Sequence, residues 1–436
     1  MSRIERTLLI VVVALAGLTV FGIWLLWPSP RPAAQQELPP QYKGVIRSVS
    51  NYDCPPRPDD FGPARTGPCQ QVAVEVLSGP DTGATFELDT AEGDYPTFRS
   101  GDRVLLGVLD PSAGQSAYYV GDFDRRLPLG LLAGVFVAVV LLVGRGHGFR
   151  ALVGLGVSLL IVARFVVPAV LAGENPFAVA LVGSFAVMIV TLYLCHGFNV
   201  KSTAALVGTA AALGVTALLG VLFVALTRLT GFSSEEASFV RFAVEGVDVR
   251  GLVLAGLVIG ALGVLDDVTV AQASTAFAVH DANPQQSWVE VFRRAMNVGR
   301  DHIASTVNTL VFAYVGASIV LLVLFTSGGV PFGDIINSEV VAQEVVTTLV
   351  GSLGLISAVP LTTALAATLA ARQRNIQMAL ASVPVHLRDD VDEEQLSEEE
   401  RDHRRWVRFL REEADDGETH ELPGPGDGQA HPYVNR

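Results

Sequence analysis

Two adjacent acids, Asp266 and Asp267, interrupt the apolar stretch GLVLAGLVIGALGVLDDVTVAQASTAFAVH and are its only formal charges between Arg250 and His280. Where lipid replaces water, a charged side chain costs on the order of 3 kcal/mol on insertion scales, so it persists where it has a partner, water or a task. Desolvation and a neighbouring like charge both push a carboxylate toward holding its proton near neutral pH. The pair are therefore candidates for a proton- or ion-coupling site. Neighbours on a helix point about 100° apart, so one acid is expected to address a polar seam and the other a second helix or water. A structural reading stands beside this one: a kink or water pocket in which Thr269, Ser274 or hydroxyls of another helix satisfy the acids.

A second polar group opens the next apolar stretch, GRDHIASTVNTLVFAYVGASIVLLVLF, with Asp301, His302, Ser305, Thr306, Asn308 and Thr309. His302, Ser305, Thr306 and Thr309 recur at i, i+3, i+4 and i+7, which is one helix face. They are coupling candidates alongside the acids; read structurally, they mark a water interface and the hydroxyl glue common between membrane helices. Gly256, Gly260 and Gly263 precede the acids and predict close helix approach. Pro360, amid Ser352, Ser357, Thr362 and Thr363, predicts a kink whose freed carbonyls those hydroxyls satisfy. Arg164, His196 and Lys201 lie at the ends of apolar runs and read as interface residues. The chain contains no phosphate-binding loop, dinucleotide fingerprint, nucleophile elbow or zinc-protease motif. Four of its eight histidines, His386, His403, His420 and His431, lie in the tail with no metal-ligand spacing, and no catalytic residue, cofactor or metal is predicted.

The elements that must position these residues follow from run length. Half of the 436 residues are hydrophobic, and runs of about 20 apolar residues are long enough to cross a bilayer. Eight spans are predicted, at 7–27, 127–144, 149–171, 176–195, 202–227, 251–275, 302–325 and 341–371. The first begins with Arg3 and Arg6 and ends in Trp24, Trp27 and Pro28 without a small-x-small cleavage site, which fits an uncleaved anchor. Positive charge recurs on alternate loops: Arg145 and Arg150, then Lys201, then Arg293, Arg294 and Arg300, then the stretch after Arg372. By the positive-inside rule this puts both termini in the cytoplasm. Trp288, Val291, Phe292, Ala295 and Met296 predict an amphipathic helix in the inward loop 276–301.

Residues 28–126 form the one sizeable polar region before the tail, and they read as β. YKGVIRSVS, QQVAVEVLS, ATFELDT, DRVLLGVL and AYYVGDF alternate, with Gly, Pro and Asp turn clusters between them; five short strands fit a small barrel or sandwich of OB-like type. Cys54 and Cys69 enclose a Pro-rich loop on the side predicted to be oxidising, so a disulfide is expected. Cys195 reads as an apolar filler. After His386 the chain carries 16 acidic side chains against 7 Arg, most of the net charge of −14. That tail argues against nucleic acid and anionic lipid as partners.

LGVLDDVTVAQAS, followed by W-x-E-x-F-x-x-A-x-x-x-GRDHI-x-S-x-VNTL-x-x-AY-x-G-x-S, resembles the YibE/YibF-like bacterial membrane proteins, in particular the longer YibE-type member, over residues 1–375. In layout the acid helix, amphipathic segment and Arg-opened helix are also distantly similar to the SecD/SecF export pair and the resistance-nodulation-division transporters. The resemblance implies a multi-pass protein of the bacterial cytoplasmic membrane. The expected organisation is an anchor (1–27), an extracytoplasmic β-rich domain (28–126), a seven-span membrane domain (127–375) and an acidic cytoplasmic tail (376–436). The fold class is thus an α-helical polytopic membrane protein with a small β-rich domain. Two functions remain open: a proton- or ion-coupled transporter or export helper using Asp266 and Asp267, or a membrane assembly factor or sensor whose outer domain binds a partner. The partners expected are the lipid bilayer, an unidentified solute or protein, and a second or related membrane subunit.

Overall fold

The computed structural model describes residues 3–28, 40–53, 69–90, 97–108, 118–233, 239–240 and 246–381. The chain divides into two compact units, residues 31–149 on one hand and 1–30 with 150–436 on the other.

The first unit holds a five-stranded antiparallel sheet: β1 (Tyr42–Tyr52), β2 (Cys69–Val76), β3 (Thr85–Thr90), β4 (Arg103–Val108) and β5 (Tyr118–Phe123), in spatial order β3-β2-β1-β4-β5. The predicted strands lie at these positions because alternation with period two buries one face: Ile46, Val72, Val74, Val76, Val104 and Leu106 are wholly enclosed. The sheet curls far enough for side chains of its two edge strands to meet. Phe86 of β3 stacks on Tyr118 of β5 with ring centroids 5.8 Å apart, and the Tyr118 hydroxyl donates to Asp81 at 2.6 Å. The register of β1 against β2 shifts between Ile46 and Ser48, and Arg47, at that shift, pairs with Glu75. Cys69 is disulfide-bonded, whereas Cys195 is free; Cys54, the expected partner of Cys69, lies outside the described residues. So does the tail from 382 onward.

The helices are α1 (Arg3–Leu25), α2 (Arg126–Ile161), a π-helical turn (Val162–Val166) leading into α3 (Val167–Leu171), α4 (Pro176–His196), α5 (Val200–Leu226), α6 (Val249–Ala282), α7 (Trp288–Ala317), α8 (Ile319–Ser327), α9 (Phe332–Asn337) and α10 (Glu339–Ala381). Six helical runs among the described residues are long and apolar enough to cross a membrane, and α7 with α8, bent by 57°, makes a seventh. One of the six is the 46-residue run Arg126–Leu171. Straight, it would measure about 69 Å, more than twice the ~30 Å hydrocarbon core. It is interrupted at Arg145, whose φ of 47° and ψ of −128° are not helical.

In the second unit, α5, α6 and α10 form the centre, with α4 and α7 packed on α6 and α1 on α4. The predicted inward loop 276–301 is mostly helix. α6 continues to Ala282, and α7 opens at Trp288 behind a capping box in which Ser287 and Glu290 satisfy each other's backbone N–H. The amphipathic segment and the predicted span from 302 are therefore one helix, because nothing between Val291 and Leu310 breaks its period of buried residues. Close helix approach also differs from expectation. An added methyl at Gly256 or Gly263 would meet nothing, and at Gly260 it would come no nearer than 3.8 Å to the Tyr314 hydroxyl. Tight contacts occur instead at other glycines, among them where Gly208 meets Thr362 and Gly354 meets Thr216, a reciprocal pair that locks α5 to α10. α10 passes Pro360 without interruption, and the Thr363 hydroxyl donates to the Val359 carbonyl at 2.6 Å.

Candidate functional site

α6 begins where Asp248 caps it, accepting from the Gly251 N–H at 3.0 Å. From there Leu254, Val258, Ala261, Leu265, Thr269, Gln272 and Ala276 recur at helical spacing and are buried, turned toward the centre formed with α5 and α10. Asp266 and Asp267 lie off this buried stripe in different directions. Asp266 is half-buried, and its Oδ1 is sealed from solvent with no hydrogen-bond partner among the described residues. It lies within electrostatic reach of Cys195, the penultimate residue of α4, whose thiol donates to the Arg150 carbonyl at 3.7 Å. Asp267 is exposed on the outer face of α6. The two acids therefore have different surroundings: Asp266 lies toward the end of α4, away from the hydroxyl seam, and Asp267 on the exterior of α6. At 1.5 Å per residue Asp266 stands about 26 Å from the start of α6, so a hydrocarbon layer beginning there would place it near the far edge.

The hydroxyl seam lies one turn further along. Thr269 meets Thr209 of α5 at 2.5 Å between hydroxyl oxygens and donates to the Asp266 carbonyl at 3.1 Å, while Thr209 donates to the Ala205 carbonyl at 2.9 Å. Gln272, 3% exposed, donates through Nε2 to the Ala295 carbonyl of α7 at 2.8 Å. A methyl at Gly299 would stand 2.6 Å from Val359 and 2.9 Å from Gln272, so α6, α7 and α10 pinch together at this point.

The second predicted group is split by the helix it rides on. His302 and Thr306 are half-buried on the side of α7 that faces the bundle. Asp301, Ser305, Asn308 and Thr309 are exposed on the opposite side, and the Thr309 hydroxyl donates to the Ser305 carbonyl at 3.0 Å. The four residues predicted to share one face thus divide two and two, because the face spanned by i to i+7 is wider than the contact α7 makes. Thr209, Gln272 and Gly299 do not stand out in the sequence; Gln272 falls six residues after Asp266 on the buried stripe, which is the one signal that marks it. Among the described residues no group of three His, Cys, Asp or Glu could hold a metal ion.

Residues 132–372 match the family model described as YibE/F-like protein. No curated protein and no solved structure matches the chain.

Proposed function

Starting from the fact that the chain belongs to the YibE/F-like family, we propose that it is a multi-pass protein of the bacterial cytoplasmic membrane that couples proton or ion movement to the passage of a solute or to export, with Asp266 as the ionisable group. One observation carries the reading: a carboxylate oxygen sealed in an apolar helix, with no hydrogen-bond partner among the described residues and no basic residue on its own helix between Arg250 and His280. A purely structural acid would be expected to have its lone pairs satisfied, whereas an acid that binds and releases a proton needs one state in which it is not.

The topology we propose has eight crossings with both termini in the cytoplasm. It is supported by the break at Arg145, which divides a run too long for one crossing, and by the positive charges on alternate loops. The curled sheet, with its strand order, is read as OB-like and placed outside the cell. The bilayer and an unidentified solute or protein are the partners, and a second copy or a related subunit is the candidate for the exposed polar side of α7. The role is binding and passage in place of covalent catalysis. A second reading has its own support: the sheet has an independent apolar core, which suits a sensor or assembly factor whose outer domain binds a partner.

Replacing Asp266 with Asn keeps size and hydrogen bonding but removes the titratable proton. The expected result is a folded, normally abundant protein that no longer complements a deletion, with partial rescue by Glu. Full activity of the Asn variant would move the reading to the sensor or assembly factor, because removing an unneeded buried charge is neutral or stabilising.

A further inference from the structure

α7 packs on α6 and α10, and its opposite face is open. There Asp301, Ala304, Asn308, Val311 and Val315 recur at steps of three and four residues, and all five are exposed. This is the heptad spacing of a seam between two helices. Thr309, beside the seam, donates its hydroxyl to the Ser305 carbonyl of its own helix. Asn308 has no such outlet, and its amide makes no hydrogen bond among the described residues. It stands six residues, about 9 Å, inside the apolar stretch that begins at His302, and its side chain is too short to reach water as Lys or Arg would. An amide left without a partner in hydrocarbon is unfavourable, so the seam calls for a second helix that can answer it.

The barest apolar stretches of this chain, residues 128–143 of α2 and 319–325 of α8, contain no side chain that donates or accepts a hydrogen bond. Thr19 of α1 already donates to the Leu15 carbonyl. A second α7 does answer Asn308. An amide carries both a donor and an acceptor, so two copies related by a two-fold axis satisfy each other, as an isologous contact requires. Arg300 and Asp301, adjacent and both exposed, likewise present a cation to the anion of the other copy. We propose that α7 is the contact between two copies of this chain, packed in parallel about a two-fold axis along the membrane normal, with Asn308 against the partner's Asn308 and Arg300 against the partner's Asp301. Ala304, one turn from Asn308, lets the backbones approach, and a single Asn in the seam fixes the register, because other alignments leave it unpaired. The pairing rests on the membrane crossing of α7 proposed above and names the partner of its exposed side; it does not depend on Asp266.

The test uses the full chain in a Cys195→Ser background, reconstituted into proteoliposomes from two differently tagged preparations at several lipid-to-protein ratios. Under copper phenanthroline, Ala304→Cys and Val311→Cys are expected to give disulfide-linked dimers that carry both tags. Ala313→Cys, exposed but turned about 140° from Asn308, should stay monomeric, as should the chain with no added cysteine. Asn308→Val should weaken pairing of the Ala304→Cys chain about 5- to 30-fold, while Asn308→Gln, which keeps the amide, retains most of it. The Asp266→Asn protein should cross-link like its parent. Four results would each overturn the pairing: no mixed-tag dimer at either seam position, a cross-link from Val311→Cys to Phe136→Cys within one chain, capture of a different protein at the seam, or undiminished pairing of Asn308→Val. A Thr309→Cys that reacts readily with a charged methanethiosulfonate would place α7 in water and sink the topology along with the pairing. An inert Thr309→Cys without cross-links at the seam sinks the pairing alone.

Discussion

The interior of the sheet and the interior of the helical bundle differ in how completely they satisfy their buried polar groups. In the sheet the buried polar side chains are paired: Gln70 accepts from the Phe98 N–H at 2.8 Å and donates to Asn51 at 3.1 Å, and the Thr90 hydroxyl donates to the Gln70 carbonyl at 3.2 Å. Charges stay outside, where the Arg125 guanidinium and the Phe123 N–H hold the Asp122 carboxyl below the ordinary carboxylate range. In the bundle, Ser184, Ser352, Thr362 and one oxygen of Asp266 are sealed in without a partner among the described residues. Leaving a buried polar group unmade costs about 1–3 kcal/mol each. The sheet thus follows the rules of a water-soluble core, while the bundle leaves some buried groups unsatisfied on three of its helices, α4, α6 and α10.

The largest effect expected from this contrast concerns the apolar side chains. Leu106→Ala in the sheet should cost about 2–5 kcal/mol, the usual range for a buried Leu truncated in water. Leu265→Ala, equally enclosed in α6, should cost clearly less, because lipid tails are as apolar as Leu and transfer from water no longer contributes. Segment-resolved hydrogen exchange of the full chain reads both, in β1 and β4 peptides for the first and α5 and α6 peptides for the second. Equal losses would erase the distinction between the two interiors.

A smaller effect sharpens where the bundle is tight. Gly208→Ala drives a methyl into Thr362 and should cost about 1–3 kcal/mol by overpacking. Gly260→Ala meets only the Tyr314 hydroxyl, at an ordinary contact distance, and should be neutral or gain up to about 1 kcal/mol in helix propensity. Thermal unfolding in one detergent compares them directly, and a destabilised Gly260→Ala would restore the sequence-based view that Gly256, Gly260 and Gly263 form the close-packed face.

That reversal shows what the sequence could carry. The strands were legible because Val72, Val74 and Val76, or Val104 and Leu106, alternate with solvent-facing residues, and turn residues punctuate them. The long helices were legible from run length. Which glycine meets a neighbour was not, since the obstacle, Thr362 or Thr216, sits on a helix remote in sequence. Nor was the side of Asp266: a rotation of 100° separates it from Asp267, and only the placement of α4 decides which of the two is enclosed. The bend at Ser318 has no Pro to announce it.

The smallest effect expected tests whether the hydroxyl seam belongs with the acids or only supports them. Thr209 and Thr269 touch at 2.5 Å across α5 and α6, a contact that reads at first as a strong cross-helix bond. Each hydroxyl, however, also has a carbonyl of its own helix to donate to, Ala205 for Thr209 and Asp266 for Thr269. Removing either Thr therefore leaves the other satisfied, and hydrogen bonds between membrane helices average about 0.6 kcal/mol in double-mutant cycles. Val keeps the branched shape, so Thr209→Val, Thr269→Val and the double variant should show a coupling well under 1 kcal/mol, with complementation retained in all three. A coupling of about 2 kcal/mol or more, or loss of complementation in Thr269→Val alone, would break the expectation. Thr269 would then be read as orienting Asp266 through its backbone, and the seam would join the candidate site as a positioning element.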